Sequence, residues 1–205
     1  MNAFSLQGSG ASEPAWSASR TTLLTNSAPE QERPETALKT IYTLGYEGAA
    51  LPDFIRTLED TGVSLLLDVR ERPQSRRPGF SKRALSEALS EAGIAYRHVR
   101  QLGDPKPGRD AARSGAMEAF RSIFNAHLDL EGSQKALQEV AKEADAQTVV
   151  LMCYERAPHD CHRSLVAQRL VGLGSFRIDH LGVQVGRTVT GDKYGAAARR
   201  LVGAR

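Results

Sequence analysis

The densest set of chemically capable side chains lies between residues 153 and 164. Cys153 is followed by Glu155 and then, after seven intervening positions, by Cys161-His162-Arg163-Ser164. Cys153 closes an apolar run, and Cys161 opens a stretch with helical spacing. A helix start presents unpaired N–H groups and partial positive charge, which bind anions and lower a thiol's pKa. Arg163 in the first turn offers a planar fork for a phosphate, with Ser164 beside it. His162 can serve as acid, base or donor. The set fits either a reactive thiol, with Cys153, Cys161, Glu155 and His162 as catalytic groups, or an anion cradle. A Cys that ends a buried strand can equally be a small core residue.

A metal site is the next reading, because His159, Cys161, His162 and Cys153 cluster in sequence. Structural zinc takes four N/S ligands, usually from two short-spaced pairs. Neither Cys-x-x-Cys nor His-x-x-x-His occurs here, and neighbouring residues at a helix start are expected to point apart, so no metal is expected. The phosphatase signature, a Cys and an Arg separated by five loop residues, is absent, because the Arg position counted from Cys153 is His159. A Cys153–Cys161 disulfide is disfavoured in a reducing compartment.

Two further groups follow predicted strands. Asp68 and Arg70 are two residues apart, so in extended backbone they share one side. They either pair with each other, or Arg70 faces an anion that Asp68 helps to orient. Arg76, Arg77, Lys82 and Arg83 extend this into a basic rim on a loop stiffened by Pro73 and Pro78. Tyr46 and Glu47 sit between Gly45 and Gly48. Tyr46 could stack on a base, and Glu47 with Glu155 could form a carboxylate pair. The segment from His98 to Arg113 reads as a solvated loop or a lid.

The elements that must position these groups alternate. Thr40–Leu44 predicts a strand, and Leu51, Phe54, Ile55 and Leu58 a helix stopped by Gly62. Val63–Val69 is a continuous apolar run, the pattern of a strand buried on both faces. Ser81 is a plausible N-cap for a helix over Lys82–Ala92. Ile94–Val99 alternates like a strand, and a Gly/Pro/Arg loop over 101–115 is expected after it. Helices are predicted over Ala116–Leu128 and Gly132–Ala144, a buried strand over Thr148–Tyr154, and a helix over Cys161–Leu173 capped by Asp160 or a neighbour. Phe176–Leu181 reads as a last strand. About five strands alternating with helices predict an α/β fold: a mostly parallel sheet with helices on both faces. In such sheets the ligand crevice lies beyond the carboxyl ends of the strands, where the groups above fall.

The motifs Thr43-Leu44-Gly45-Tyr46-Glu47-Gly48, Asp68-Val69-Arg70, Pro78-Gly79-Phe80-Ser81-Lys82, Leu102-Gly103-Asp104-Pro105-Lys106, Cys153-x-Glu155 and Cys161-His162-Arg163-Ser164 together resemble the family known as domain of unknown function 488. The resemblance runs from about Thr40 to about Leu181. It implies a compact α/β domain whose motifs converge on one site, and it carries no reaction or cofactor with it.

The composition of the 205 residues, 40% hydrophobic and 25% charged, excludes collagenous, fully disordered and disulfide-scaffold classes. No apolar run reaches the roughly 18 residues of a membrane span. Two cysteines, and an N-terminus without a basic or apolar segment, predict a cytoplasmic protein. Residues 1–38 hold two basic and four acidic side chains among Ser, Ala, Thr and Pro, and read as a disordered leader that includes Trp16. The α/β domain is expected over 39–185, and a basic tail over 186–205 carries net +4. The span 68–83 is also net +4. These two basic regions favour a phosphate-bearing partner, a nucleotide or nucleic acid, bound through Tyr46, Glu47, Asp68, Arg70, Arg76, Lys82, Arg163 and Ser164. The alternatives are a thiol-dependent enzyme acting on a small anionic substrate and a non-catalytic interaction module. No cofactor is named by the sequence.

Overall fold

A computed structural model describes residues 38–186; the acidic leader with Trp16 and the basic tail after Gly186 lie outside the described residues. Five strands form one all-parallel sheet, in the spatial order β3-β2-β4-β1-β5. In chain order they are β1 (Lys39–Gly45), β2 (Leu65–Asp68), β3 (Ala95–His98), β4 (Val149–Cys153) and β5 (Phe176–Leu181). The α/β class expected from the alternation is the one found.

The two continuous apolar runs become β2 and β4, which pair with each other and are buried throughout. That follows from their composition, because a parallel strand covered on both faces has no solvent side on which to place polar residues. Alternation along β4 divides the core in two. Val149, Leu151 and Cys153 face one apolar cluster, and Val150 and Met152 face the other. The first cluster is closed by α4 (Met117–Leu128), α5 (Glu131–Ala146) and α6 (His162–Val171), the second by α1 (Leu51–Asp60) and α2 (Lys82–Glu91).

The structure departs from the expected elements in two places. The segment 101–115, expected as a loop, contains helix α3 (Lys106–Arg113), which packs against α4. Only Gly108 of α3 is buried, so no apolar stripe marks it in the sequence. Pro107 in its first turn and the Lys106–Asp110 pair at i,i+4 support it instead. At α6 the N-cap is Cys161, while Asp160 belongs to a short 3-10 turn over Pro158–Asp160. Among the described residues no helix is long and apolar enough to cross a membrane.

Candidate functional site

β4 ends at Cys153, and α6 begins after Cys161. The chain between them turns over the carboxyl end of the sheet and brings four reactive side chains together. The thiols of Cys153 and Cys161 both donate to Glu155 Oε2, at 3.1 and 3.0 Å. His162 Nδ1 lies 3.6 Å from the Cys153 sulfur. Its other nitrogen, Nε2, is 2.7 Å from the Val69 carbonyl oxygen just past β2. A carbonyl only accepts, so Nε2 carries the proton, and in the neutral ring the Nδ1 lone pair faces the cluster. One potential ligand atom from each of the four residues falls within 4.8 Å of the others. Cys153, Cys161 and His162 are buried, and the partly exposed Glu155 is the approach from solvent.

The expectation that Cys161 and His162 diverge fails for a local reason. Cys161 is extended (φ −125°, ψ 137°) and stands outside the helical spiral that begins at His162. Its side chain therefore does not follow the helix rotation and can turn toward Glu155.

Three contacts hold the connecting loop. Arg163, fully buried, donates to the carbonyl oxygens of Glu155 and Arg156 and to Thr43 Oγ1. Ser164 Oγ donates to the Pro158 carbonyl. Gly45 at the end of β1 admits the loop: a Cβ there would lie 1.8 Å from the Glu155 carbonyl oxygen. Arg163 and Ser164, expected as an anion fork, thus direct their donors at the protein's own backbone.

Burial pushes both thiols up, Cys161 further than Cys153, so each is held protonated. Glu155 goes the other way. Burial opposes its charge, but the Cys161 and Cys153 donors outweigh that and lower its pKa. Burial likewise opposes a charged His162. Its contacts with Cys161, the Val69 carbonyl and Glu155 prevail, and its pKa rises to about 9. The centre thus favours the charged forms of Glu155 and His162 and the neutral forms of the two thiols.

On the opposite face of the sheet, Asp68 and Arg70 pair with each other. Arg70 Nε and Nη2 donate to the two Asp68 oxygens at 2.8 and 2.5 Å, and Nη1 donates to Tyr46 Oη and the Phe80 carbonyl, both at 2.9 Å. Tyr96 Oη donates to the same carboxylate at 2.7 Å. Burial opposes the Arg70 charge, but Asp68 overrides it and holds the guanidinium protonated. Tyr46 is buried and stacked on Phe80 at 4.4 Å, so its ring is not free to stack on a base. Of the two alternatives read from the Asp68/Arg70 spacing, the internal pair is the one present.

A family model for the domain of unknown function DUF488 matches residues 50–170, more than half of the chain. The chain belongs to the DUF488 family. No curated protein and no solved structure matches it.

The matched span of the DUF488 domain includes Asp68, Arg70, Cys153, Glu155, Cys161, His162 and Arg163, whereas Tyr46 and Glu47 precede it. Glu47 is exposed, and its carboxylate accepts from the Arg156 backbone N–H, so it forms no pair with Glu155. Arg76 and Lys82 are exposed on the rim, Arg83 bridges to Glu87, and Arg77 donates to the Ala49 carbonyl. Two cavities of about 360 and 390 Å³ open near the amino ends of β1, β4 and β5, and none of the clustered side chains lines them.

One residue of the DUF488 site was not singled out by its chemistry in the sequence. Asp104 is 7% exposed, and its Oδ1 has no hydrogen-bond partner. Burial raises its pKa to about 6, against the pull of His162 and Arg109. Gly108 makes room for it, since a Cβ there would stand 2.1 Å from Oδ1. The only signal in the sequence was its place in the Leu102–Lys106 motif.

Proposed function

We infer that the DUF488 domain of this chain is a thiol-dependent enzyme acting on a small anionic substrate. The observation that carries this reading is the placement of the Cys153 sulfur. It lies between a carboxylate that accepts its proton and an imidazole whose orientation a backbone carbonyl fixes. A nucleophile, a proton acceptor and an orienting partner within contact distance are what covalent catalysis by a thiol requires. In this scheme the Cys153 thiol is protonated at rest and gives up its proton, by way of Glu155 to solvent, only as the sulfur attacks. His162, protonated, holds the sulfur's negative charge and draws in an anionic group.

The competing reading, a phosphate-bearing ligand held by arginine forks, loses support at its centre. Both inner guanidinium groups, Arg70 and Arg163, are buried with their donors directed at protein acceptors. Among the described residues, the outer rim with Arg76 and Lys82 is left to carry it.

The test is alkylation of the folded, chelator-treated full chain by neutral iodoacetamide and anionic iodoacetate, with the labelled site read by peptide mass. Cys153 should label before the chain unfolds. Its iodoacetate-to-iodoacetamide rate ratio should exceed that of the denatured chain, and His162→Asn should slow it by about 100-fold, the lower end for a positioned acid or base. Labelling only at the unfolding rate, or a rate that His162→Asn leaves unchanged, overturns the reading.

A further inference from the structure

The Cys153, Glu155, Cys161 and His162 side chains present two sulfurs, one oxygen and one nitrogen to a single point. We propose that this cluster binds one soft divalent cation of the zinc class. The inference goes beyond the thiol reading, because a bound cation would take both sulfurs as ligands and leave neither free as a nucleophile.

Three observations carry it. The first is distance. Tetrahedral zinc, with bonds of about 2.3 Å to sulfur and about 2.0–2.1 Å to nitrogen or oxygen, sets its ligand atoms roughly 3.4–3.8 Å apart. The donor atoms here stand at 3.0, 3.1 and 3.6 Å in three of the six pairs, and all lie within 4.8 Å of one another. Adjustments of a few tenths of an ångström to about one ångström therefore turn the cluster into a coordination shell. The pairs that are too close are thiol-to-carboxylate hydrogen bonds, which disappear when the metal displaces the thiol protons.

The second is the seating of His162. A metal-bound histidine characteristically donates its other ring N–H to a carbonyl or carboxylate, which fixes the tautomer and aims the free lone pair. His162 does this with the Val69 carbonyl at 2.7 Å, which leaves Nδ1, the atom facing the Cys153 sulfur, to offer its lone pair once any proton there is displaced. The ring is also braced edge-on by Phe124, with centroids 5.1 Å apart.

The third is charge and softness. Once the thiols ionise, three anionic ligands converge in a buried place, and nothing but a cation makes that arrangement stable. Two thiolates and an imidazole select zinc, cobalt(II) or cadmium over magnesium or calcium, which prefer all-oxygen shells. The loop carrying Glu155 is held in advance by Arg163 on the Glu155 and Arg156 carbonyls, so binding does not have to order it.

Binding exchanges protons without any redox step: the thiols of Cys153 and Cys161, and His162 where it is protonated, release theirs as the cation enters. The probe is cobalt(II), added to the reduced, chelator-treated full chain. One equivalent should produce the visible bands of a tetrahedral ion and a sulfur-to-cobalt charge-transfer band, and zinc should displace it. Cys161→Ser should lower the charge-transfer intensity by about half. Glu155→Gln, which keeps the size of the side chain, should weaken binding at least about 10-fold while circular dichroism stays unchanged. An octahedral spectrum, no spectrum, or one that neither variant alters overturns the proposal. Alkylation separates this outcome from the fate of the thiol reading. Rapid labelling of Cys153 in a chain that binds no cobalt leaves that reading standing alone. Tight cobalt binding with no labelling of the metal-free chain leaves only the metal site.

Discussion

Arg163 offers the sharpest division between a structural clamp and an anion fork. Arg163→Met keeps the length of an apolar stem and deletes the guanidinium. The side chain is fully buried, and it donates to the Glu155 carbonyl, to the Arg156 carbonyl at 3.0 Å and to Thr43 Oγ1 at 3.4 Å. Hydrogen bonds from a charged group contribute about 1.5–3 kcal/mol each, and the last of these is long enough to count for little. Two effective bonds give roughly 3–6 kcal/mol. Relief of burying the cation offsets part of this, so about 3–4 kcal/mol is the expected loss. That is a large share of the about 5–15 kcal/mol that stabilises an ordinary domain.

Urea unfolding followed by circular dichroism measures the loss directly. With a slope of about 2 kcal/mol/M, the midpoint should fall by roughly 1.5–2 M. Arg163→Lys should recover less than half, because an ammonium cannot span two carbonyls as a planar fork does. If Arg163 were reserved for a ligand, its loss would leave the ligand-free midpoint within about 0.3 M of the wild type. Phosphate, matched to chloride in ionic strength, would then stabilise the wild type more than the variant. That pair of results would refute the clamp and restore the anion reading.

Gly45→Ala places a methyl 1.8 Å from the Glu155 carbonyl oxygen, a backbone atom that cannot swing aside. The expected loss is at least about 2 kcal/mol, seen as a melting temperature lowered by roughly 4–8 °C. His180 should titrate below the ordinary 6.5, because burial and the nearby Arg163 charge both oppose its protonation. Its folded pKa is thus below its unfolded one, so its contribution to stability is complete above pH 6.5 and is lost as pH falls through the folded value. Proton NMR of the ring in wild type and in Arg163→Met checks this. A variant lacking the Arg163 charge should titrate higher than the wild type, since that charge is one of the two causes of the depression.

The sheet was legible in the sequence because burial on both faces leaves an unbroken apolar run, and Val63–Val69 and Val149–Cys153 are such runs. Helix α3 was not, because it buries almost nothing and so leaves no 3.6-residue pattern. The gathering of Cys153, Glu155, Cys161 and His162 near the carboxyl end of β4 could be read as a candidate set, since strand ends mark the crevice. Their mutual geometry could not. It depends on Cys161 lying outside the helix and on the Val69 carbonyl, and residue types record neither. The two arginines misled for a related reason. An Arg after a strand or in a first helical turn has the same signature whether it meets a phosphate or a buried carbonyl, and only the fold supplies the carbonyl.

The topology explains why the reactive groups collect around β4. From β1 the chain leaves toward α1 on one face of the sheet, and from β4 it leaves toward α6 on the other. Strands β1 and β4 are neighbours, so their loops part and open a crevice between them, the position where parallel sheets bind ligands. Here the loop after β4 folds back over that opening. Tyr46 and Glu47 donate their backbone N–H groups to the Cys153 and Tyr154 carbonyls, continuing the β1–β4 ladder past the strand ends. Gly45 then lets the Glu155 backbone close down, and Arg163 fastens it from beneath. Of the four clustered residues, Glu155 alone is partly exposed. Both the thiol and the metal proposals place Glu155 in contact with the sulfurs, so Glu155→Gln should alter alkylation rate and cobalt affinity together.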